Sequence, residues 1–421
     1  MSEIGFQPVY MEASASYIDF MFNTKYAQML LKTGVNLQPG QCLVIRGESV
    51  HWELATAIEA EAYKMGAKFV EFELHHLQSQ VNRSRLQPEE HLDYVPDYKR
   101  ASIEQMAREK WCLLRIEGMD NPDLAKEIDQ KRNSVTVKAQ RTAAKPLTNE
   151  IMNRGLHWCI APAATEGWAR QVGLSSKEEL WAVLKPMLKL DQEDPSKAWQ
   201  DHAASLKRRT EILNERKVNR LHFSGPGTDL NIFLSTKSRW SGGGSVSKSG
   251  HHFMANLPTE EVFTSPDYRK TEGKVRITRP VNLLGDQIRG AWMVFKDGAL
   301  TEYGAEYGSH LLDEFLKIDP KARFLGEVAL VDSGSAIFKT GKVFNSILLD
   351  ENASCHIALG SGFPTAIQGS EGKTEAELDE MGCNQSLLHT DFMIGSEEIS
   401  VTAYDDSGKS FPVIKDGVFA I

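Results

Sequence analysis

The sequence lacks most of the features that mark membrane, secreted and nucleic-acid-binding proteins. No run approaches the roughly 18 uninterrupted apolar residues of a membrane helix, so no membrane partner is expected. The opening stretch "MSEIGFQPVYMEASASYIDFMF" carries acidic residues and no basic segment ahead of an apolar block, and no secretory signal is expected there. Cysteine is scarce: the five residues Cys42, Cys112, Cys159, Cys355 and Cys383 are widely spaced and form no C-x-x-C pair. Without an export signal they read as reduced thiols, several of them in apolar strands. On the same grounds the N-x-S matches at Asn82, Asn352 and Asn384 carry no glycosylation meaning. Basic charge is short as well, and a formal net charge of -9 argues against a general nucleic-acid binder, which would show a basic face. Two basic clusters, Lys131–Lys145 and Lys207–Arg220, are interleaved with helix formers and read as solvated helix faces.

Several catalytic signatures are missing too. There is no H-E-x-x-H, which excludes a standard zincin helix. Gly408-Lys409-Ser410 looks like the end of a phosphate loop, but Ala403 stands where the leading glycine belongs and no strand-to-helix context follows. Neither "GSGF" at 360–363 nor "GGGSVSKSG" is a dinucleotide fingerprint, and no G-x-S-x-G elbow occurs.

What is present is a globular composition, 41% hydrophobic and 25% charged, over 421 residues. That length is too great for one ordinary core and implies two domains. In the first half strands alternate with helices. Tyr26–Val35 and Trp52–Gly66 have helical spacing, while Cys42–Gly47, Lys68–Leu74, Trp111–Gly118 and Leu156–Pro162 read as strands. Such alternation implies an open, mainly parallel α/β sheet in a domain covering residues 1–215, closed by a charged helix Ala198–Lys217. From Leu221 onward glycine becomes dense and short strands follow one another, at Val275–Thr278, Gln287–Val294, Phe324–Val331, His356–Leu359, Leu387–Ile394 and Ile399–Ala403. Only Tyr307–Leu316 looks like a solid helix. Residues 216–421 are therefore expected to form a β-rich α+β domain with mixed strand pairing.

The last long strand raises a chemical question. In "LLHTDFMIG" the alternation of a strand puts Leu387, His389, Asp391 and Met393 on one face and Leu388, Thr390, Phe392 and Ile394 on the other. Burying a histidine and a carboxylate together is costly unless they are paired or hold something. Three further segments of the same domain set ionisable residues in strand-like text: "NLPTEEVFTSPD" with Glu260 and Glu261, "ARFLGEVALVD" with Glu327, and "ASCHIALGSGF" with His356. Each alone has a plainer reading as a hydrogen-bonded core or surface residue. Together they supply the imidazoles and carboxylates of a two-metal hydrolytic site.

In order and spacing, "NLPTEEVFTSP", "GEVALVD", "CHIALGSGFP" and "NQSLLHTDFMIGS" resemble the aminopeptidase T, aminopeptidase S and PepS family of metallopeptidases. "YAQMLLKTGVNLQPGQCLVIRG", "GPGTDLNI" and "GKSFPVIKDGVF" extend the likeness over nearly the whole chain. The resemblance implies a cytoplasmic, homodimeric aminopeptidase with two divalent metal ions per chain, acting on peptide substrates. Its metal ligands would be Glu261, Glu327, His356, His389 and Asp391, with Glu327 between the two ions and first choice for the proton-shuttling carboxylate. Glu260 is a weaker choice, because on a strand it points away from the face of Glu261. Nitrogen and oxygen ligands accept zinc, cobalt or manganese, with zinc expected.

The sequence departs from the family at one position. Where the family's "GxAYP" segment carries a tyrosine placed to bond the substrate oxyanion, this chain reads "GSGFP" and has Phe363. The ring stays and the hydroxyl donor is lost, and loss of one such donor typically costs about 10²–10³ in rate. His251 and His252, shortly before Glu261, read as loop histidines or as an added polar contact at the cavity. Two competing readings remain at this level. One is a mononuclear iron ring-cleaving dioxygenase using His356, His389 and Asp391; the retained Glu261 and Glu327 weigh against it. The other is a non-catalytic or altered-activity relative, motivated by Phe363 and opposed by the complete ligand set.

Overall fold

The structure is a computed structural model, and it describes residues 15–284 and 286–421. The reading of the opening stretch as free of a secretory signal concerns residues 1–14 for the most part, which lie outside the described residues. The chain divides into two compact units. One comprises residues up to 163 with 193–196 and 246–255; the other comprises 164–192, 197–245 and 256–421.

The first unit holds a parallel sheet of β1 (Cys42–Glu48), β2 (Phe69–His75), β3 (Cys112–Glu117) and β4 (Trp158–Pro162), in the order β2-β1-β3-β4. Helices connect the strands, including Trp52–Lys64, Asp97–Glu109 and Gln130–Met152. The central strands are apolar without alternation: Leu43, Val44, Ile45, Cys112 and Leu114 are all buried, as expected when helices cover both faces of a parallel sheet. The open parallel α/β sheet expected from the strand and helix alternation is therefore present.

The two units do not part at residue 215. Trp168 donates its indole N–H to the carbonyl of Phe344, Asn214 is hydrogen-bonded in both directions to the backbone of Trp240, and His202 reaches Thr259 O. The helices Glu166–Val172, Lys177–Met187 and most of Pro195–Glu215 thus pack within the second unit. Conversely, 246–255 belongs to the first unit, where Ile160 N–H donates to Ala255 O and Met254 N–H to Thr33 O. The charge and helical pattern of these segments say nothing about which core receives their apolar stripe.

The second unit contains an eight-stranded and a five-stranded sheet. Both are antiparallel throughout rather than mixed; short hairpins join only some neighbours of the eight-stranded sheet, and the five-stranded sheet is assembled from strands distant in sequence. The expected strand Gln287–Val294 is two strands, Asp286–Ile288 and Trp292–Lys296, broken by Gly290 in a left-handed conformation. The helix Ser309–Leu316 is present, and three shorter helices, Ala336–Lys339, Ile347–Asp350 and Glu375–Glu380, join it.

The five-stranded sheet carries the chemistry. Its strands run in the order His389–Met393, His356–Gly360, Leu325–Val331, Glu261–Thr264 and Ser241–Gly242. One face is wholly apolar: Val262, Val328, Leu330, Ile357, Leu359 and Phe392 are buried in the main core. Each such side chain contributes about 1.5–3 kcal/mol by leaving water, and together they make a stiff platform for the opposite face.

Candidate metal centre

Strand register decides what the opposite face presents. Glu261 pairs with Val331, Ala329 with both Phe263 and His356, Ala358 with both Glu327 and Asp391, and Gly360 with His389. Residues paired across an antiparallel sheet point the same way. Glu261, Glu327, His356, His389 and Asp391 therefore all project from one face. Ala329 and Ala358, both small and buried, lie between them.

Two glycines make the geometry possible. The register slips between Leu325 and Glu327, a bulge that re-aims the strand beside the site. A Cβ on Gly326 would stand 2.1 Å from Ser361 O, and one on Gly360, at φ +109°, would stand 2.2 Å from Leu388 O. Only glycine lets these backbones approach so closely.

The ligand atoms fall into two groups, Glu261 with Glu327 and His356, and Glu327 with His389 and Asp391; within each, one atom per residue lies within 4.8 Å of the others. Glu327 is common to both. His356 Nε2 lies 3.3 Å from Glu261 Oε2, and His389 Nε2 lies 3.2 Å from Glu327 Oε2 and 3.4 Å from Asp391 Oδ1. Both imidazoles have Nδ1 against a backbone carbonyl, at 3.2 Å from Ser354 O for His356 and 2.7 Å from Ser361 O for His389. An Nδ1–H donated there turns Nε2 toward the carboxylates, the orientation in which an imidazole that gives up its Nε2 proton can ligate a metal.

The electrostatics show a site crowded with negative charge. Burial alone would lower His356, but the adjacent Glu261, with Asp391 and Glu327 behind it, lifts it to about 10. His389 is likewise lowered by burial and raised by Asp391 and Glu327, to about 11. Burial pushes Glu327 up, the His389 hydrogen bond pulls it down, and repulsion from Glu261 and Asp391 adds to the rise, leaving it at about 7. Asp391 Oδ1 is buried and makes no well-formed hydrogen bond, its neighbour His389 Nε2 standing 3.4 Å away. A buried carboxylate oxygen so poorly satisfied, among converging imidazole and carboxylate ligands, belongs to the donor set of a divalent cation, so the residues present fit one. His356, His389 and Asp391 do not make a group of their own among the described residues.

The profile of the thermophilic metalloprotease family, M29, matches residues 23–419. The chain belongs to that family. It is 36% identical over 404 residues to "Aminopeptidase 2" of Geobacillus stearothermophilus, covering 94% of this chain and 97% of that protein. Among solved structures it resembles wild-type AmpT from Thermus thermophilus with a TM-score of 0.87 and 34% identity, covering 96% of this chain and all (100%) of that one. It also resembles a 2,5-dihydroxypyridine dioxygenase from Pseudomonas putida KT2440, with a TM-score of 0.52, 12% identity and coverage of 97% and 98%; at that identity the likeness is one of fold. Membership of a metalloprotease family implies a divalent metal, and the two ligand groups offer the place for it.

One residue of this M29 site was absent from the sequence-based set. Glu351 opens the 3-10 turn Glu351–Ala353, just before the His356 strand. Burial raises its pKa well above the ordinary value, and the charges of Glu261 and Asp391 raise it further. The turn is clamped by Asn352, fully buried, whose Oδ1 accepts from Glu260 N–H at 2.7 Å and whose Nδ2 donates to Leu348 O at 2.9 Å. The only signal in the text was an acidic pair, Asp350-Glu351, close upstream of the His356 strand.

Glu260 lies just ahead of the Glu261–Thr264 strand rather than on it, and meets His202 Nε2 at 3.2 Å. Phe363 packs at the site, its ring centroid 4.9 Å from that of His389. His251 and His252 lie in the first unit, where His251 stands edge-on to His157.

Proposed function

We propose that this chain is an aminopeptidase that removes N-terminal residues from peptides at a centre of two divalent ions, zinc most readily. The observation that carries the reading is the sharing of Glu327 between two ligand groups. Charge supports the count: Glu261, Glu327, Glu351 and Asp391 are four carboxylates in mutual electrostatic reach, and two dications match them. A single ion held by His356, His389 and Asp391 leaves Glu261 and Glu327 unexplained, which disfavours the dioxygenase reading.

When bound, the ions polarise the scissile carbonyl and acidify a water. The protein's own residues do the rest. Glu327 holds the two halves of the site in register. His356 and His389 present Nε2 because backbone carbonyls occupy Nδ1. Glu351 belongs to neither ligand group and has a raised pKa, the environment of a general base and acid. We assign it, rather than Glu327, the transfer of a proton from the attacking water to the leaving amine nitrogen. Phe363 contacts the substrate through its ring and offers no hydroxyl to the developing oxyanion, so turnover is expected to be about 10²–10³ slower than with a donor there.

No helix among the described residues is long and apolar enough to cross a membrane. A cytoplasmic homodimer completes the proposal on the strength of the family resemblance, and light scattering of the purified protein tests the dimer. The main test is metal content per chain together with hydrolysis of Leu- and Arg-p-nitroanilide, with and without added zinc or cobalt. Near two ions per chain and metal-dependent release support the reading. One iron per chain without release, or two ions without release on any peptide, refutes it.

A further inference from the structure

The ligand face carries one apolar feature that the hydrolytic chemistry does not use. Phe263 follows Glu261 by two residues on the Glu261–Thr264 strand and so shares its face. It pairs across the sheet with Ala329, which in turn pairs with His356. Its ring stands edge-on to Phe363 at 5.3 Å between centroids, and Phe363 continues to the His389 ring at 4.9 Å. The two rings thus reach from the Glu261 strand to the His389 strand. Both are only half-buried, whereas the apolar residues on the other face of the sheet are fully enclosed.

The pair is held in place from behind. Phe363 N–H donates to Ser265 Oγ at 2.8 Å, and the Ser265 hydroxyl donates to Phe363 O at 3.2 Å. Gly362 N–H donates to Asn384 O at 2.8 Å, and a Cβ on Gly362 would stand 2.9 Å from Cys383 Sγ. These contacts fix the backbone that carries the Phe363 ring. A fixed, half-exposed aromatic wall touching a metal-ligand histidine is a surface that gains by being covered with apolar atoms. The group placed to cover it is the side chain of the substrate's first residue, because that residue brings both its amine and its scissile carbonyl to the ligand face. Residues beyond the scissile bond lead away from it.

We infer that Phe263 and Phe363 form the subsite for the N-terminal side chain and select large apolar residues, aromatic ones and leucine, over small or cationic ones. The inference rests on the aminopeptidase reading above. The loss of a hydroxyl at Phe363 then has a second consequence: the position no longer offers a polar group and serves the wall alone.

The experiment is kcat/KM of the metal-loaded enzyme for Phe-, Leu-, Ala- and Arg-p-nitroanilide, with protection against thermal unfolding by free L-phenylalanine and L-arginine as a readout independent of turnover. Phe and Leu substrates are expected to exceed Ala by about 10- to 100-fold, and L-phenylalanine to protect more than L-arginine. Phe263→Ala and Phe363→Ala should each reduce that preference about tenfold or more, while Phe363→Tyr, which keeps the ring and its packing, should retain it. Hydrolysis with Ala or Arg at least as fast as Phe and Leu, or a preference that survives both alanine variants, overturns this inference and leaves the aminopeptidase standing. No hydrolysis of any of the four overturns both.

Discussion

Replacing Glu327 by glutamine separates the chemistry of the site from the stability of the fold. The carboxylate is shared by both ligand groups, so its loss removes a charged ligand from each. Metal content should fall, and hydrolysis should drop by at least about a thousandfold, equivalent to about 4 kcal/mol in the barrier. Stability moves the other way. Burial and the neighbouring carboxylates hold Glu327 at about 7 against an ordinary 4.5. An acid whose folded pKa is raised keeps its proton longer in the folded than in the unfolded chain. The metal-free protein therefore bears no penalty below about pH 4.5 and loses stability as pH rises through about 7, on the order of 3 kcal/mol in all. Glutamine carries no charge at any pH. Metal-free Glu327→Gln should thus be more stable than metal-free wild type at pH 8, by up to about 3 kcal/mol, and nearly equal to it at pH 4. Denaturant unfolding of chelator-treated proteins at the two pH values measures the difference, alongside metal analysis and Leu-p-nitroanilide hydrolysis. A less than tenfold loss of hydrolysis, or a variant less stable than wild type at pH 8, would refute the reasoning.

Glu351→Gln should reduce kcat by at least about a hundredfold while metal per chain stays within a fifth of wild type, since Glu351 lies outside both ligand groups; equal loss of metal and rate would make it a ligand instead. Gly360→Ala should destabilise the protein by more than about 3 kcal/mol, because the new Cβ meets Leu388 O at 2.2 Å beside His389; a melting curve within a degree of wild type would contradict this. In the first unit burial pushes His51 down to about 4 from 6.5. The unfolded chain then takes the proton first, so stability is full above about pH 6.5 and declines toward about pH 4, by roughly 3 kcal/mol. His51→Gln should flatten that slope in unfolding measured from pH 7 to 4, and an unchanged slope would place the proton uptake elsewhere.

Much of the site was legible because strand periodicity and chemistry coincide. His389 and Asp391 two apart in apolar text, Glu327 in "LGEVALV" and His356 in "CHIALG" each place an ionisable group where an alternating strand would bury one, and the register of the five-stranded sheet puts all of them on one face. Glu351 escaped because it sits on a 3-10 turn with no periodicity, and its proximity to Glu261 and Asp391 comes from the Asn352 clamp on Glu260. Phe263 escaped for a different reason: a phenylalanine in a strand reads as core, and only its half-exposure beside Phe363 marks it as something else. The break expected at residue 215 was misplaced because amphipathic helices such as Pro195–Glu215 carry an apolar stripe without an address.

By itself the sequence determined the local terms: which segments become strands or helices, which faces are apolar, and which ligand types the chain carries. These follow from nearest-neighbour physics, from side-chain alternation, propensity and the cost of burying an unpaired charge. Tertiary structure decided the rest. Segments more than sixty residues apart, from Glu261 to Glu327 to His389, meet only through strand register, a bulge at Gly326 and the close backbone approach at Gly360. Whether two ligand groups share a carboxylate, whether a glutamate on a turn reaches them, and whether two phenylalanines wall the site depend on distances of a few ångströms, which the pairing of distant strands sets.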